Sequence, residues 1–272
     1  MKKVLCIALI AALALGLFAC NLINKATMET YDFETRNYTQ ATGDVSPTSA
    51  IDEINIDWVA GSVRVMVGTQ DNITVHESGV GASASIPLCY RVNNATLSIA
   101  FAKDGTKIRN VSKTLVVTIP AEHLLTRLSV NAVASNVAVD PAVVGELNVD
   151  NVSGRVECTL NAIAKTRLNT VSGNVNLRAA STKQVEVETG SGTINLYLPV
   201  VDEVEAKSVS GNVTLALAKD ASFAMNVSTV SGRVSTGDFA CTKSGSRYLS
   251  GTGKIRIEVE TTSGDVTLKT AS

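Results

Sequence analysis

Three groups of closely spaced carboxylates are the side chains of this chain whose type and spacing best fit acid–base chemistry. They are Glu186 with Glu188, Asp202 with Glu203 and Glu205, and Glu258 with Glu260. Carboxylates two positions apart on a β-strand face the same side of the sheet, and cleavage of a glycosidic bond uses such paired acids. Arg167 and Lys207 lie beside these acids when the sequence repeats are aligned, so we interpret the groups as a solvated, ion-paired surface.

The remaining side chains with catalytic or metal-binding potential lack a recognisable motif. His76 and His123 are the only histidines, and both are predicted to be ordinary surface or loop residues. CxxC pairs, calcium-binding Gly-Asp nonapeptides and phosphate-binding glycine loops do not occur in the sequence. Trp58 is predicted to close the end of the core rather than to stack on a sugar. We therefore expect no enzyme activity, no catalytic residue, no metal and no cofactor.

A twelve-residue sequence repeat determines which side chains lie together on the surface of the folded chain. Its pattern is apolar-x-apolar-x-x-Val-Ser-Gly-x-apolar-x-apolar, and we number its positions 1 to 12. The clearest copies are 147–158, 166–177, 185–196 and 204–215, and looser copies are 54–65, 128–139, 225–236 and 257–268. The clearest copies begin 19 residues apart. A fixed period of this length is typical of stacked repeat architectures.

Each repeat is predicted to form two short strands that meet at a corner. Apolar positions alternate with a period of two on either side of a parity change between positions 5 and 6, which one straight strand cannot accommodate. Glycine at position 8 permits a tight bend or close contact with a neighbouring backbone. The predicted structural turn glycines are Gly61, Gly154, Gly173, Gly192, Gly211, Gly232 and Gly264.

The predicted fold is an all-β solenoid, a single-stranded β-helix with coils of about 19 residues. Stacked coils place equal positions side by side. This predicts one column of Val156, Val175, Ile194 and Val213, and the ion pairs Arg167–Glu186 and Glu188–Lys207. The alternative is an antiparallel β-sandwich in which each Val-Ser-Gly-x-Val forms a hairpin turn. Either way, residues 51–272 are predicted to form one domain.

The first twenty residues predict export and lipidation. Two lysines precede an apolar run that is too short for a spanning helix and typical of a secretory signal, which we assign to residues 1–19. The run ends in Leu17-Phe18-Ala19-Cys20, which resembles a bacterial lipobox. Cys20 is therefore the predicted lipid-modified mature amino terminus, followed by a polar tether over residues 20–50. Asn21 favours the outer membrane if the cell has two membranes.

Composition and cysteine count agree with an extracytoplasmic β protein. The chain is 45% hydrophobic and only 4% aromatic, with a formal net charge of −1. This charge balance provides no basic patch for nucleic acid. After signal removal and lipidation, three of the five cysteines remain, namely Cys89, Cys158 and Cys241. Cys158 takes a position where other repeats carry leucine, so it is predicted to be a small buried hydrophobe. A disulfide between two of the three stays open.

Four segments carry a resemblance to a known family. They are Ile54-Asn-Ile-Asp-Trp-Val-Ala-Gly-Ser-Val63, Ile73-Thr-Val-His-Glu77, Leu115-Val-Val-Thr-Ile-Pro120 and the Ser-Gly-x-Val series that follows. Over about residues 50–272 the chain resembles the bacterial putative-adhesin family with a β-strand repeat, a cell-envelope domain of unknown function. The resemblance implies a β-helix-like stack and an envelope setting, and it transfers no catalytic residue.

These observations predict a non-enzymatic, lipid-anchored envelope protein that presents an extended β surface for adhesion or for binding a partner protein or a glycan. Its predicted partners are the membrane, through the lipid, and an envelope protein or glycan, with no nucleic acid. A carbohydrate-active enzyme is the first alternative, and a structural or sensing envelope component is the second. Because terminal coils expose sheet edges, we expect a partner or self-association at the Thr261 to Leu268 end.

Overall fold

The computed structural model describes residues 35–80, 86–108, 110–140 and 144–271 of the 272-residue chain. The predicted signal peptide, the lipidation site Cys20 and residues 20–34 of the predicted tether lie outside these residues. Within them all regular elements are β-strands, 19 in number, which confirms the all-β prediction. No helix of sufficient length and hydropathy to span a membrane occurs in the described part of the chain.

The described residues form two compact units, 35–157 and 158–271, where the sequence predicts a single domain over residues 51–272. The strands of the first unit are β1 (Thr39–Gln40), β2 (Glu53–Gly68), β3 (Thr74–Val80), β4 (Cys89–Asn93), β5 (Thr96–Ala100), β6 (Ser112–Pro120), β7 (Leu125–Val139) and β8 (Val144–Ser153). Strand β9 (Val156–Ser172) crosses the boundary. The second unit continues with β10 (Val175–Ser191), β11 (Ile194–Tyr197), β12 (Val201–Ser210), β13 (Val213–Leu217), β14 (Phe223–Ser231), β15 (Val234–Ser235), β16 (Thr242–Ser244), β17 (Arg247–Ser250), β18 (Ile255–Ser263) and β19 (Val266–Thr270).

Repeats of the first unit stack in parallel and in register. Ile54 of β2 lies opposite Leu128 of β7, and Leu128 lies opposite Leu147 of β8. Equal positions of successive repeats are therefore neighbours, as the solenoid prediction requires. Antiparallel pairing of neighbouring repeats, which the sandwich alternative needs, is not what these strands show.

The other edge of β2 carries a repeat that is split in two. Strand β5 places Leu97 opposite Ile54, and β6 places Leu115 opposite Val63. Together the two strands take the place of one repeat, and the intervening residues 101–111 are inserted where other repeats have their corner. The sequence analysis missed this repeat because the insertion separates its two arms.

Antiparallel strands cover the outer edge of the split repeat. Strand β4 pairs with β5, β3 pairs with β6, and β1 pairs with β4. Val45 forms a further antiparallel bridge with Val75, and both Ala41 and Val45 are buried. Residues 39–45 thus pack on the domain, so the polar tether predicted over residues 20–50 does not extend through this segment.

Repeats of the second unit also stack in parallel. Val175 lies opposite Ile194, and Ile194 lies opposite Val213, which confirms this part of the predicted column. All three side chains are at most 1% exposed. The fourth predicted member, Val156, belongs to the other unit.

The order of the last two repeats differs from the order in the sequence. Ile257 of β18 lies opposite Val204 of β12 on one edge and opposite Met225 of β14 on the other. Strand β19 likewise pairs with both β13 and β15. The repeat 257–268 is therefore inserted between 204–215 and 225–236. The prediction that the Thr261 to Leu268 stretch forms an end of the stack is wrong.

A β-hairpin accounts for the altered order of the last two repeats. Strands β16 and β17 pair with each other, and β17 pairs antiparallel with the outer edge of β14. Because the hairpin takes that edge over Phe223–Asn226, the final repeat pairs with the opposite edge of β14 instead. Phe239 is buried against Phe223, with the ring centroids 5.4 Å apart, and closes the interior at this end.

Candidate functional site

The acidic groups singled out in the sequence converge on one outer face of the second unit. Glu186 lies opposite Glu205, which lies opposite Glu258, and in the neighbouring column Lys207 lies between Glu188 and Glu260. Glu203 lies opposite Arg256. We call this surface the acidic face; it consists of Glu186, Glu188, Glu203, Glu205, Glu258 and Glu260 around Lys207.

Basic residues pair with most of these carboxylates. Arg167 donates to Glu186 Oε2 through Nε at 3.1 Å and Nη2 at 2.7 Å. Lys207 Nζ forms ion pairs with Glu205 and, at 3.8 Å, with Glu188. Both ion pairs predicted from the repeat alignment, Arg167–Glu186 and Glu188–Lys207, are confirmed. Arg256 Nε lies 3.2 Å from Glu203 Oε1 at the margin of the face.

Burial, together with the neighbouring charges, shifts the pKa of three groups on this face. Burial raises the pKa of Glu188, and the charges of Glu186 and Glu205 raise it further against the lowering effect of Lys207 and Arg167. Burial also raises the pKa of Glu260, with Glu258 as its strongest acidic neighbour. Burial alone would lower the pKa of Lys207, but its hydrogen bond to Glu205 and the surrounding carboxylates raise it overall. The face is thus a dense acceptor surface organised around one ammonium group.

Asp202 does not join the acidic face. It lines a separate cavity of about 310 Å³ with Pro199, Val200, Lys254 and Ile255. Across the residues that the structure describes, no group of three or more His, Cys, Asp or Glu side chains is placed to hold a metal ion. What the acidic face can offer chemically is an array of hydrogen-bond acceptors to cationic or hydroxyl-bearing groups.

A buried polar cluster in the first unit was missed by the sequence analysis. The side chain of Lys113 is 0% exposed, and its ammonium group donates to Glu77 Oε2 at 2.9 Å, Ile86 O at 2.8 Å and Phe101 O at 2.5 Å. It also lies 4.2 Å from the ring centroid of Phe101 and 5.1 Å from that of Trp58. Three N–H donors therefore meet three oxygen acceptors inside an aromatic enclosure.

The cluster occupies the corner that the split repeat leaves open. Lys113 lies opposite Gly61, and its carbonyl oxygen accepts the indole N–H of Trp58 at 3.1 Å. Burial lowers the pKa of Lys113 against the hydrogen bond and charge of Glu77, which raise it. Burial raises the pKa of the Cys89 thiol, and the charge of Lys113 partly opposes this shift. The alternation Lys113, Leu115, Val117 was the available signal, because it places the lysine on the apolar face of its strand.

Other side chains singled out in the sequence are dispersed. His76 Nδ1 lies 2.6 Å from Asp44 Oδ1 at the surface, and His123 Nε2 lies 2.6 Å from the carbonyl oxygen of Ile51. Trp58 is 0% exposed and stacks edge-on with Phe101, so it cannot offer its ring to a sugar. Among the described residues Cys89, Cys158 and Cys241 form no disulfide bond; Cys89 and Cys158 are buried and Cys241 is partly buried.

The predicted turn glycines lie in close contact with the neighbouring repeat. At Gly211, an added Cβ would overlap the carbonyl oxygen of Gly192, and the same holds for Gly264 against Gly211 and for Gly232 against Gly264. Gly192 meets the carbonyl oxygen of Gly173 in the same way. In the first unit, Gly61 meets the carbonyl oxygen of Lys113, and Gly154 meets that of Ser135. The absence of a side chain is what lets the backbones approach at the corner.

Position 9, next to these glycines, carries a hydrogen-bonded ladder. Asn174 Oδ1 accepts the backbone N–H of Thr193, and Asn212 Oδ1 accepts that of Asp265, both at 2.9 Å. Asp265 Oδ1 in turn accepts the N–H of Arg233 at 2.8 Å. In the first unit Asn136 does the same for Arg155 at 2.9 Å. The corner is thus fixed by side-chain acceptors that reach across to the next repeat.

Several solved structures of bacterial proteins are similar to this chain. A putative adhesin from Bacteroides fragilis is 11% identical, with 84% of this chain and 98% of that chain covered and a TM-score of 0.46. A putative adhesin from Parabacteroides distasonis is 15% identical, with 85% and 98% covered and a TM-score of 0.44. A putative lipid binding protein from the same organism is 16% identical, with the same coverage and a TM-score of 0.45.

No curated protein matches the chain. The sequence profile of the Toastrack DUF4097 family, by contrast, matches it twice, over residues 51–198 and 164–269. The two matches together take in most of the chain and contain the repeats of both units. This chain belongs to the Toastrack DUF4097 family.

Proposed function

We propose that this chain is a non-enzymatic, lipid-anchored protein of the cell envelope that presents an extended β surface for adhesion or for binding a partner protein or glycan. The observation that carries the proposal is the parallel, in-register stack of the second unit. It sets equal positions side by side and so builds continuous outer columns of charged side chains, such as Glu186, Glu205 and Glu258. A flat array of this kind suits repeated contacts with an extended partner.

The anchor is tested at Cys20. Full-length wild-type chain and a Cys20→Ala variant are expressed in a bacterium that is fed a labelled fatty acid. We expect label on the wild-type chain only, together with its loss from the membrane fraction in the variant, because acyl chains supply the membrane affinity. Protease added to intact cells then tells whether the anchored domain faces outward. Equal labelling of both chains would contradict the assignment of Cys20.

The binding surface is tested by charge reversal on the acidic face. Cells carrying the full chain are applied to surfaces coated with mucin, fibronectin or chitosan, and retained cells are counted. The variant Glu258→Lys with Glu260→Lys reverses two acids of the face, and Asp220→Lys with Asp238→Lys is the matched control at two exposed turn positions of the same unit. We expect retention to fall for the first variant only. Equal retention of the two variants would exclude the acidic face as the contact surface.

Glu188 gives the carbohydrate-active alternative one specific argument. A carboxyl group whose pKa is raised by burial and by neighbouring acids has the property that a general acid needs. Turnover of a glycan panel by the purified chain, lost in Glu188→Gln, would favour this alternative. Release of no product from any glycan of the panel would leave the binding function as the better supported proposal. The ion pairs Glu188–Lys207 and Glu186–Arg167 favour that second result.

A further inference from the structure

A second cavity, in the first unit, lies where three connectors meet. It has a volume of about 240 Å³ and is lined by residues 47–51, residues 71–73, Pro120 and His123. The first segment precedes β2, the second belongs to the connector from β2 to β3, and Pro120 and His123 lie at the end of β6 and in the connector that follows it. Connectors that a rigid scaffold positions carry a disproportionate share of binding residues.

The lining of this cavity combines apolar and polar groups. Ile51 and Ile73 are only 2% and 4% exposed, and Pro120 is partly buried. Asp71 and Asn72 are exposed, so the cavity is open to solvent at these residues. An apolar wall with a few polar groups is typical of sites that hold small molecules.

The ring of His123 is oriented by hydrogen bonds. Its backbone N–H donates to the carbonyl oxygen of Pro120 at 3.0 Å, and Nε2 of the ring lies 2.6 Å from the carbonyl oxygen of Ile51. Because a carbonyl oxygen can only accept, Nε2 carries the proton of the neutral ring and Nδ1 is an acceptor. One of the side chains that line the cavity is therefore held in a defined tautomer.

The polar lining groups include both donors and acceptors. The carboxylate of Asp71 and Nδ1 of His123 accept, whereas the amide of Asn72 and the hydroxyl groups of Thr48 and Ser49 both donate and accept. An ammonium group only donates and a carboxylate only accepts, so either would use a part of this set. Alcohol hydroxyl groups do both, and a ring that carries several of them matches the whole set.

Size and charge narrow the ligand further. The volume of about 240 Å³ lies below the range of about 300–1,000 Å³ in which drug-sized ligands bind, so it suits one sugar ring rather than a buried oligosaccharide. The lining includes Asp71 but no lysine or arginine, and like charges would disfavour an acidic sugar. We propose that this cavity binds a single uncharged sugar residue, such as the end of a glycan. The site lies in the first unit, so it is independent of the acidic face.

Saturation-transfer NMR tests the site. The full chain is purified in a detergent without a sugar headgroup and mixed with the methyl glycosides of glucose, galactose, mannose, fucose and N-acetylglucosamine. We expect transfer to at least one glycoside, and Asp71→Ala should raise its Kd at least tenfold because a charged acceptor is lost. Asp104→Ala is the matched control at an exposed turn of the same unit. Absence of transfer to every glycoside would overturn the proposal.

A second variant separates the ligand contact from the structural role of the histidine. His123→Gln keeps an N–H that can donate to the carbonyl oxygen of Ile51 but removes the Nδ1 acceptor. We expect a loss of glycoside affinity of at least tenfold with a thermal unfolding midpoint like that of the wild type. Wild-type affinity in both Asp71→Ala and His123→Gln would overturn the assignment of the sugar to this cavity.

Discussion

The ammonium group of Lys113 has an acceptor for each of its three protons, and two aromatic rings enclose it. A charge removed from water in this way is stable only while its partners remain, because desolvation of an isolated ion is expensive. Lys113 and Glu77 are therefore energetically coupled, although 36 residues separate them in the sequence. Lys113 thus lies at this corner where other repeats carry a glycine, while its own carbonyl oxygen still packs against Gly61.

A double-mutant cycle measures that coupling. Lys113→Met removes the charge that balances the Glu77 carboxylate, and we expect it to lower the free energy of unfolding by about 3–5 kcal/mol. Glu77→Gln in addition should restore at least half of that loss, because the neutral amide can still accept the Leu88 N–H. Denaturant unfolding of the four proteins provides the values. Strictly additive effects of the two substitutions would contradict the coupling.

Glu188 provides a pH prediction. Its pKa is raised in the folded chain by burial and by Glu186 and Glu205. The folded state therefore binds a proton more readily than the unfolded state, and its stability rises as the pH falls through the raised pKa toward the ordinary value of 4.5. The free energy of unfolding of the wild type minus that of Glu188→Gln should thus increase from pH 7.5 to 4.5. Glu157→Gln is the control at an exposed site in the other unit; a flat difference for Glu188 would contradict the prediction.

The sequence analysis identified contacts between residues at equal positions of well-formed repeats, and it missed the residues of the split repeat. Arg167 and Glu186 were predicted as neighbours because both occupy position 2 of well-formed copies. Lys113 belongs to no recognisable copy, since the insertion over residues 101–111 hides its repeat. A lysine is also interpreted as solvent-exposed unless the alternation of buried and exposed positions along its strand is considered. In β6 this alternation places Lys113 on the same side as the buried Leu115.

At the scale of the element, the corner of each repeat depends on contact between backbones. The carbonyl oxygen of Gly192 fills the place that a Cβ on Gly211 would need. We expect Gly211→Ala to lower the free energy of unfolding by more than about 1 kcal/mol, because two repeats must move apart. Gly43→Ala is the matched control, since nothing lies within 4 Å of a Cβ added there. Equal thermal stability of the two variants would contradict the assigned role of the glycine column.

The side-chain acceptors at position 9 are expected to contribute less to the free energy of unfolding than the glycine contacts. Asn174→Ala removes the oxygen that accepts the Thr193 N–H, and we expect a loss of about 0.5–1.5 kcal/mol in the free energy of unfolding. Asn174→Asp keeps an acceptor oxygen and should recover most of the loss. If the alanine and aspartate variants unfold at the same denaturant concentration, the side-chain bond does not stabilise the corner. The sequence showed this position to be polar, but not that its side chains bond to the next repeat.

At the scale of the whole molecule, the sequence predicts parallel stacking but not the order of the stack. Ile257 to Leu268 keeps the apolar residues at positions 1, 3, 10 and 12 of the repeat, and nothing local distinguishes a last repeat from an inserted one. The 32 residues between Ser231 and Ser263 show only that a longer excursion occurs there. The deciding interaction is the antiparallel pairing of β17 on β14, which is a long-range event with no short sequence signature.

Two valines at the same position of their repeats distinguish the observed order of repeats in the stack from their order in the sequence. Val259 of β18 lies between Ala206 and Val227, whereas Val227 of β14 has a repeat on one edge and the hairpin on the other. Val259 is 1% exposed and Val227 is 6% exposed. We expect Val259→Ala to lower the free energy of unfolding by about 1.5–3 kcal/mol, from lost apolar burial and the cavity left behind. Val227→Ala should cost less, because Val227 is more exposed and packs against a repeat on one edge only. In a stack that followed the order of the sequence, 257–268 would be the terminal repeat, and the larger loss in the free energy of unfolding would be expected at Val227. A larger loss for Val227→Ala than for Val259→Ala would therefore contradict the inserted position of the last repeat.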